Sequence, residues 1–299
     1  MIVRFVALYA RSGKTIIFLF FTMESLLKIL ITGANTGIGY ATAERLVKQD
    51  QHVILACRNA DKAKTAQVRL QTLGQGQVDI VTLDLNSLES VQQSANDIAE
   101  QYGALDVLIN NAGLFAKSKQ LTQDGFEQQF GVNYLGHFLF THKLLPVLSN
   151  APKARIIHLA SIAHWMGNIK PKTFHGEGLY NPLYFYGQSK LANLLFSHEL
   201  ARQLAGSTIT NNALHPGGVD SDIYRELPTL AHKALQLGLV PTSIPAKLIE
   251  DMAISVEWEN KNGEYVSAHM PNWQSRHATN KGLAERLYMQ SMEMVSPYL

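Results

Sequence analysis

Tyr186 and Lys190 stand four residues apart in the stretch Tyr184-Phe185-Tyr186-Gly187-Gln188-Ser189-Lys190. Four residues are about one helical turn, so on a helix the phenol and the ammonium share a face. A phenol with a pKa of about 10 exchanges protons poorly at neutral pH unless its anion is favoured. A neighbouring ammonium favours that anion, and the phenol can then serve as a general acid–base. Taken alone, the pair also describes an ordinary amphipathic helix. Two further side chains bear on the choice. Ser161 ends an apolar run, where a hydroxyl can stabilise a developing alkoxide or simply cap a turn. Asn133 lies inside a helical stretch, Val132-Asn133-Tyr134-Leu135-Gly136, although asparagine is a poor helix former. Its side chain therefore has a local or functional hydrogen bond to make, or is a satisfied buried polar group.

The elements that must position these groups alternate. Short apolar runs predict strands at 28–32, 52–56, 79–83, 105–109, 155–159, 208–214 and 264–267. Helical patterns lie between them, at 40–47, 61–73, about 86–102, 124–148 and from Tyr186 to about 204. The pattern over 220–252 is helical but broken by Pro228, Pro241 and Pro245, and a last amphipathic helix carries Leu283, Leu287, Met292 and Val295. Such alternation predicts one α/β domain over 28–299, a doubly wound, mostly parallel seven-stranded sheet with helices on both faces. Ligands of such sheets sit beyond the carboxyl ends of the strands, where all the polar groups named here fall.

The first strand runs into Thr32-Gly33-Ala34-Asn35-Thr36-Gly37-Ile38-Gly39, followed by a helix. Strand, glycine-rich turn and helix together make a phosphate-binding turn, with Gly33 for the bend, Gly37 for close backbone approach and Gly39 for helix–strand packing. The spacing is Gly-x3-Gly-x-Gly rather than Gly-x-Gly-x-x-Gly, so the glycines alone also fit a tight structural turn. At the end of the second strand, where an acid would bind a ribose hydroxyl, stands Arg58. A guanidinium there pairs with a 2′-phosphate, which predicts NADP(H) in preference to NAD(H). Asp84, with Leu85 beside it, ends the third strand, where a carboxylate can accept from an adenine amino group or cap the next helix. Asn111, Ala112 and Gly113 end the fourth strand and offer small residues where a cofactor passes close to backbone.

In this order the motifs resemble the short-chain dehydrogenase/reductase family, from the glycine turn through Asn110–Gly113, Asn133, Ser161, Tyr186-x3-Lys190 and Pro216-Gly217, over roughly residues 28–220. Ser161-Ile162-Ala163-His164, Tyr224-Arg225-Glu226-Leu227 and the stretch 273–287 are similar to its retinol-dehydrogenase and WW-domain-oxidoreductase-like branch. The resemblance implies a Rossmann fold and a tetrad: Tyr186 as acid–base, Lys190 lowering its pKa and holding nicotinamide ribose hydroxyls, Ser161 bonding the substrate oxygen, and Asn133 holding a relay water. It also implies that Pro216, Gly217 and Val219 flank the nicotinamide, with Ser221 a cofactor contact where the family often has threonine. Ser161 and Tyr186 are 25 residues apart, more than in many family members. The added segment carries Trp165, Met166, Phe174, His175, Tyr180 and Tyr184, which predicts either a pocket for a bulky, apolar carbonyl or alcohol, or aromatics laid over the core. A non-catalytic dinucleotide sensor and a carbon–carbon double-bond reductase of the protochlorophyllide-reductase type are the alternatives.

Composition narrows the partners. Over 299 residues the net charge is +2 with no basic block, which excludes an electrostatic case for nucleic acid. Cys57 is the single cysteine, so neither an intramolecular disulfide nor a thiolate metal cluster can form. His164 and His175 lack metal-ligand spacing, and no metal is expected. Residues 1–27 are an extension: Arg4, Arg11 and Lys14 precede an apolar run ended by Glu24 and Lys28, short of a membrane span. That reads as a disordered extension, a start site placed ahead of Met23, or an interfacial membrane anchor on an otherwise cytoplasmic protein. Leu191, Leu194, Leu195 and the stretch 138–145 offer apolar faces on which a homodimer could form.

Overall fold

Strand and helix boundaries follow the buried pattern closely. A computed structural model describes residues 4–7, 18–21, 26–218 and 240–299. Strands β1 (Arg4–Ala7) and β2 (Phe18–Phe21) pair antiparallel as a separate ribbon. The main sheet contains β3 (Lys28–Thr32), β4 (His52–Cys57), β5 (Val78–Thr82), β6 (Val107–Asn110), β7 (Ala154–Leu159), β8 (Ile209–His215) and β9 (Tyr265–Ser267). Its order is β5-β4-β3-β6-β7-β8-β9, and every neighbouring pair is parallel. The chain reverses its direction of sheet growth between β3 and β6, which opens the crevice expected at a switch point.

Alternate strand residues face two cores. Ile29, Ile31, Val53, Leu55 and Ile109 pack beneath α1 (Gly37–Lys48), α2 (Ala60–Leu70) and α7 (Ser243–Ile254). Leu30, Ile54, Leu108 and Ile156 pack beneath α3 (Leu88–Tyr102), α5 (Gly136–Ser149), α6 (Pro182–Gln203) and α8 (Lys281–Val295). Buried on both faces, the strands carry apolar runs rather than alternation. Leu191, Leu194, Leu195, Phe138, Leu139, Phe140 and Leu144 all point into this second core, so the side chains considered for a subunit face are already used within the chain. No helix among the described residues is long and apolar enough to cross a membrane.

One expectation changes, and another falls mostly outside the described residues. The helix expected over 124–148 is not continuous: α4 (Gln128–Phe130) passes into a π-helical turn, Gly131–Leu135, before α5. Gly125, at φ +81°, turns the chain just ahead of it, and the Glu127 carboxylate caps α4 by accepting from the amides of Gln129 and Phe130. Most of the pattern at 220–252 lies outside the described residues, and α7 is its remaining part.

The segment between Ser161 and Tyr186 is anchored by its aromatic residues. Phe174 is buried and stacks on Phe130, with centroids 4.1 Å apart. The Tyr180 hydroxyl donates to Ala116 O at 2.8 Å, and Tyr184 donates to Asn168 O. Of the aromatics expected to form a pocket, these three hold the segment down, whereas Trp165 remains more than half exposed.

Candidate active site

A cleft of about 360 Å³ lies at the carboxyl ends of the strands. It gathers Gly33, Asn35, Thr36, Gly37 and Ile38 from the first turn, with Arg58 after β4 and Asp84 and Leu85 after β5. Asn111, Ala112 and Gly113 follow β6, while Ser161, Tyr186, Lys190, Pro216 and Gly217 complete it. Gly33 and Gly37 have φ of +66° and +57°, the left-handed region that a side chain would strain. Gly39 is set behind the cleft, against the Gly33 carbonyl and the Asn111 amide group. Asn133 is also behind it, fully buried. Val219 and Ser221 lie outside the described residues.

Lys190 is buried, and burial lowers its ammonium to about 8. Its Nζ donates to Leu159 O at 3.0 Å and stands 5.8 Å from the centroid of the Tyr186 ring. The Tyr186 ring also meets the Phe115 ring edge to face, with centroids 5.6 Å apart. Ser161 Oγ accepts from the amide of Ala163, capping the turn Ile162–Met166. The cap uses a lone pair and leaves the hydroxyl proton free to donate, so capping and substrate binding are compatible. His164 Nδ1 donates to Ser161 O at 2.7 Å while its Nε2 accepts from Ser275 N, which fixes the turn to the C-terminal region. His215 Nδ1 accepts from Ile162 N and Gly217 N, joining the same turn to the end of β8.

Asn133 departs from its expected role in one respect. Its Oδ1 accepts from Leu114 N at 2.8 Å, and its Nδ2 donates to Leu114 O and Ser189 Oγ. The side chain is thus committed to protein partners, and a relay water would have to use the backbone carbonyl. Asp84 Oδ1 accepts from Asn86 N, so the carboxylate braces its own turn while lining the cleft. Cys57, also in the wall, is a protonated thiol: burial pushes it up to about 11. Lys62, in the first turn of α2, lines the cleft with Arg58 and was not foreseen from the sequence.

The residues present fit a dinucleotide. Positive-φ glycines, a helix N-terminus and open backbone occupy one end of the cleft, and Arg58 and Lys62 stand where the adenosine half would lie. Residues 28–230 match the model of the short chain dehydrogenase family. The chain belongs to that family. It is 40% identical to mouse retinol dehydrogenase 12 over 271 residues, covering 89% of this chain and 85% of the relative. With human retinol dehydrogenase 11 the identity is 38% over the same shares of the two chains. An uncharacterized protein from Mycobacterium paratuberculosis has a similar structure, with a TM-score of 0.72, 35% identity, and coverage of 90% of this chain and 93% of that one. The Pseudomonas aeruginosa RhlG/NADP complex shares the fold, with a TM-score of 0.68 at 23% identity, covering 86% and 96%. As a short-chain dehydrogenase the protein is an oxidoreductase whose fold binds a nicotinamide dinucleotide.

The close approach of α6 to the serine turn is set by two glycines. A Cβ on Gly187 would stand 2.7 Å from Ala163 O, and one on Gly167 would stand 2.3 Å from Gly187 O. Because both obstacles are backbone, Gly187→Ala must push the helix and the turn apart. It should lower stability by about 1–3 kcal/mol, the usual cost of overpacking. A denaturant midpoint unchanged from wild type would show that the turn yields without cost.

Proposed function

We propose that this protein is an NADP(H)-dependent oxidoreductase transferring hydride between nicotinamide and an apolar or bulky carbonyl or alcohol, with Tyr186 as the acid–base. The observation that carries the reading is the buried Lys190 ammonium beside the Tyr186 ring, in a cleft that Arg58 and Lys62 also line. The names of its relatives, retinol dehydrogenases, support the alcohol/carbonyl class. The NADP(H) preference rests on the absence of an acid at Arg58 and on the second cation at Lys62.

Bound NADPH would supply the hydride in the reducing direction. Tyr186 then gives its phenolic proton to the substrate oxygen, and the Lys190 ammonium stabilises the phenolate left behind. The Ser161 hydroxyl donates to the same oxygen as negative charge develops on it. Lys190 has two N–H groups besides the one on Leu159 O, and these hold the nicotinamide ribose. Gly33, Asn35, Thr36, Gly37 and Ile38 surround the pyrophosphate, with Gly39 packed behind them. Asp84 and Leu85 flank the adenine, while Asn111, Ala112, Gly113, Pro216 and Gly217 contact the nicotinamide half. Phe115, against Tyr186, is an apolar wall for the substrate.

Three measurements test this reading. Tyr186→Phe should lower kcat for NADPH-dependent carbonyl reduction by about 10²–10⁴, the range for loss of an acid–base group. Near-normal turnover by that variant would remove Tyr186 from the mechanism. Arg58→Asp should raise KM for NADPH and shift preference toward NADH, and an unchanged preference would refute the cofactor assignment. The Lys190 ammonium is lost as pH rises through about 8, and with it the charge that favours the phenolate. Reductive kcat/KM should therefore decline on the alkaline side of about 8, and a flat profile to pH ~10 would exclude Lys190 as the controlling charge.

A further inference from the structure

His137 is 2% exposed, and both ring nitrogens are bonded. Nδ1 stands 3.1 Å from the backbone carbonyl of Asn133, and Nε2 stands 2.9 Å from Thr32 Oγ1. A carbonyl can only accept, so Nδ1 carries the proton and Nε2 is the acceptor. The Thr32 hydroxyl must then donate to Nε2. That agrees with its other partners, since Oγ1 accepts from Asn111 N and Ala112 N, both at 2.9 Å, and the competing acceptor, Ile109 O, is at 3.5 Å, farther than Nε2. Two lone pairs and one proton are thus all used. Burial, reinforced by the nearby Lys190 charge, pushes the imidazole down to about 3 and keeps it neutral, as this arrangement requires.

The chain of bonds has a direction. It begins at the two amides that follow β6, passes through Thr32 and His137, and ends on the carbonyl of Asn133 at the π-helical turn. One end is the wall assigned above to the nicotinamide, and the other is the backbone group left to Asn133. We infer that His137 is a positioning residue that holds these two parts of the site in fixed relation, through Thr32 on the nucleotide side and through the Asn133 carbonyl on the catalytic side. The inference rests on the function proposed above.

The two halves of the imidazole can be replaced separately. In His137→Asn the side-chain amide can still donate to Asn133 O from the Nδ1 position, but nothing reaches Thr32. In His137→Gln the side-chain oxygen can still accept from Thr32 at the Nε2 position, but the donor to Asn133 is gone. His137→Asn should weaken NADPH binding, followed by fluorescence titration, about 3- to 10-fold, the value of one hydrogen bond, with kcat largely kept. His137→Gln should bind NADPH as wild type does and lose kcat by about 3- to 10-fold. Thr32→Val, which removes the shared hydroxyl, should weaken NADPH binding at least as much as His137→Asn, and combining the two should add little.

Two variants that lose binding and turnover in parallel, or lose only thermal stability, would overturn the inference, as would additive effects of Thr32→Val and His137→Asn. Wild type that neither binds NADPH nor shows Tyr186-dependent turnover would instead sink the proposed function, so the two failures are distinct.

Discussion

A buried ammonium is the constraint around which this structure is built. Taking the Lys190 charge out of water is costly unless dipoles and acceptors replace the solvent. Leu159 O supplies one acceptor, and it also receives the amide of Asn193 at 3.4 Å. The face of Tyr186 supplies a further favourable contact. To hold the charge there, α6 must be buried over most of its length, and from Phe185 to Ala201 nearly every residue is. Such a helix has no polar face to orient it. Its register is set instead by polar groups with specific partners, Ser197 bonded by Asn211 and Ser189 by Asn133.

The sheet was legible because parallel strands buried on both faces are short apolar runs, bounded here by glycine, asparagine and proline. All seven main strands lie within two residues of their expected limits at either end. The cleft was legible for a related reason: in such a sheet chemistry gathers at strand ends, and the conspicuous polar residues fell there. What could not be read was the use of individual hydrogen-bonding groups. Asn133 was expected to have a bond to make, but which atom made it depended on Leu114 and Ser189, 19 and 56 residues away in the chain. His137 and His215 gave no local signal, since a histidine in an apolar helix or at a strand end is ordinary. The interruption of the long helix was hidden because Gly125, Glu127 and Gly131 each suit a helix or its edge equally well.

The long segment after Ser161 shows what composition leaves open about surroundings. Its aromatics fitted either a wall for a substrate or rings laid over the core. Three of them face the protein, where stacking and hydroxyl bonds to Ala116 O and Asn168 O hold an otherwise irregular stretch. Irregular backbone needs such ties because it lacks a repeating ladder of its own. Chemistry next to a loop demands a loop that stays in place, and here aromatic residues supply that rigidity.

This division of labour separates what can vary from what cannot. Phe174, Tyr180 and Tyr184 fasten the segment from below, while Trp165 and Met166, on the turn that follows Ser161, are half exposed, Trp165 resting its ring beside that of His164. Substitutions at the two outward positions leave the fastening untouched. A lineage or a designer could therefore reshape the surface next to Ser161 without first finding compensating changes elsewhere, so that one fixed scaffold lies beneath a surface open to change.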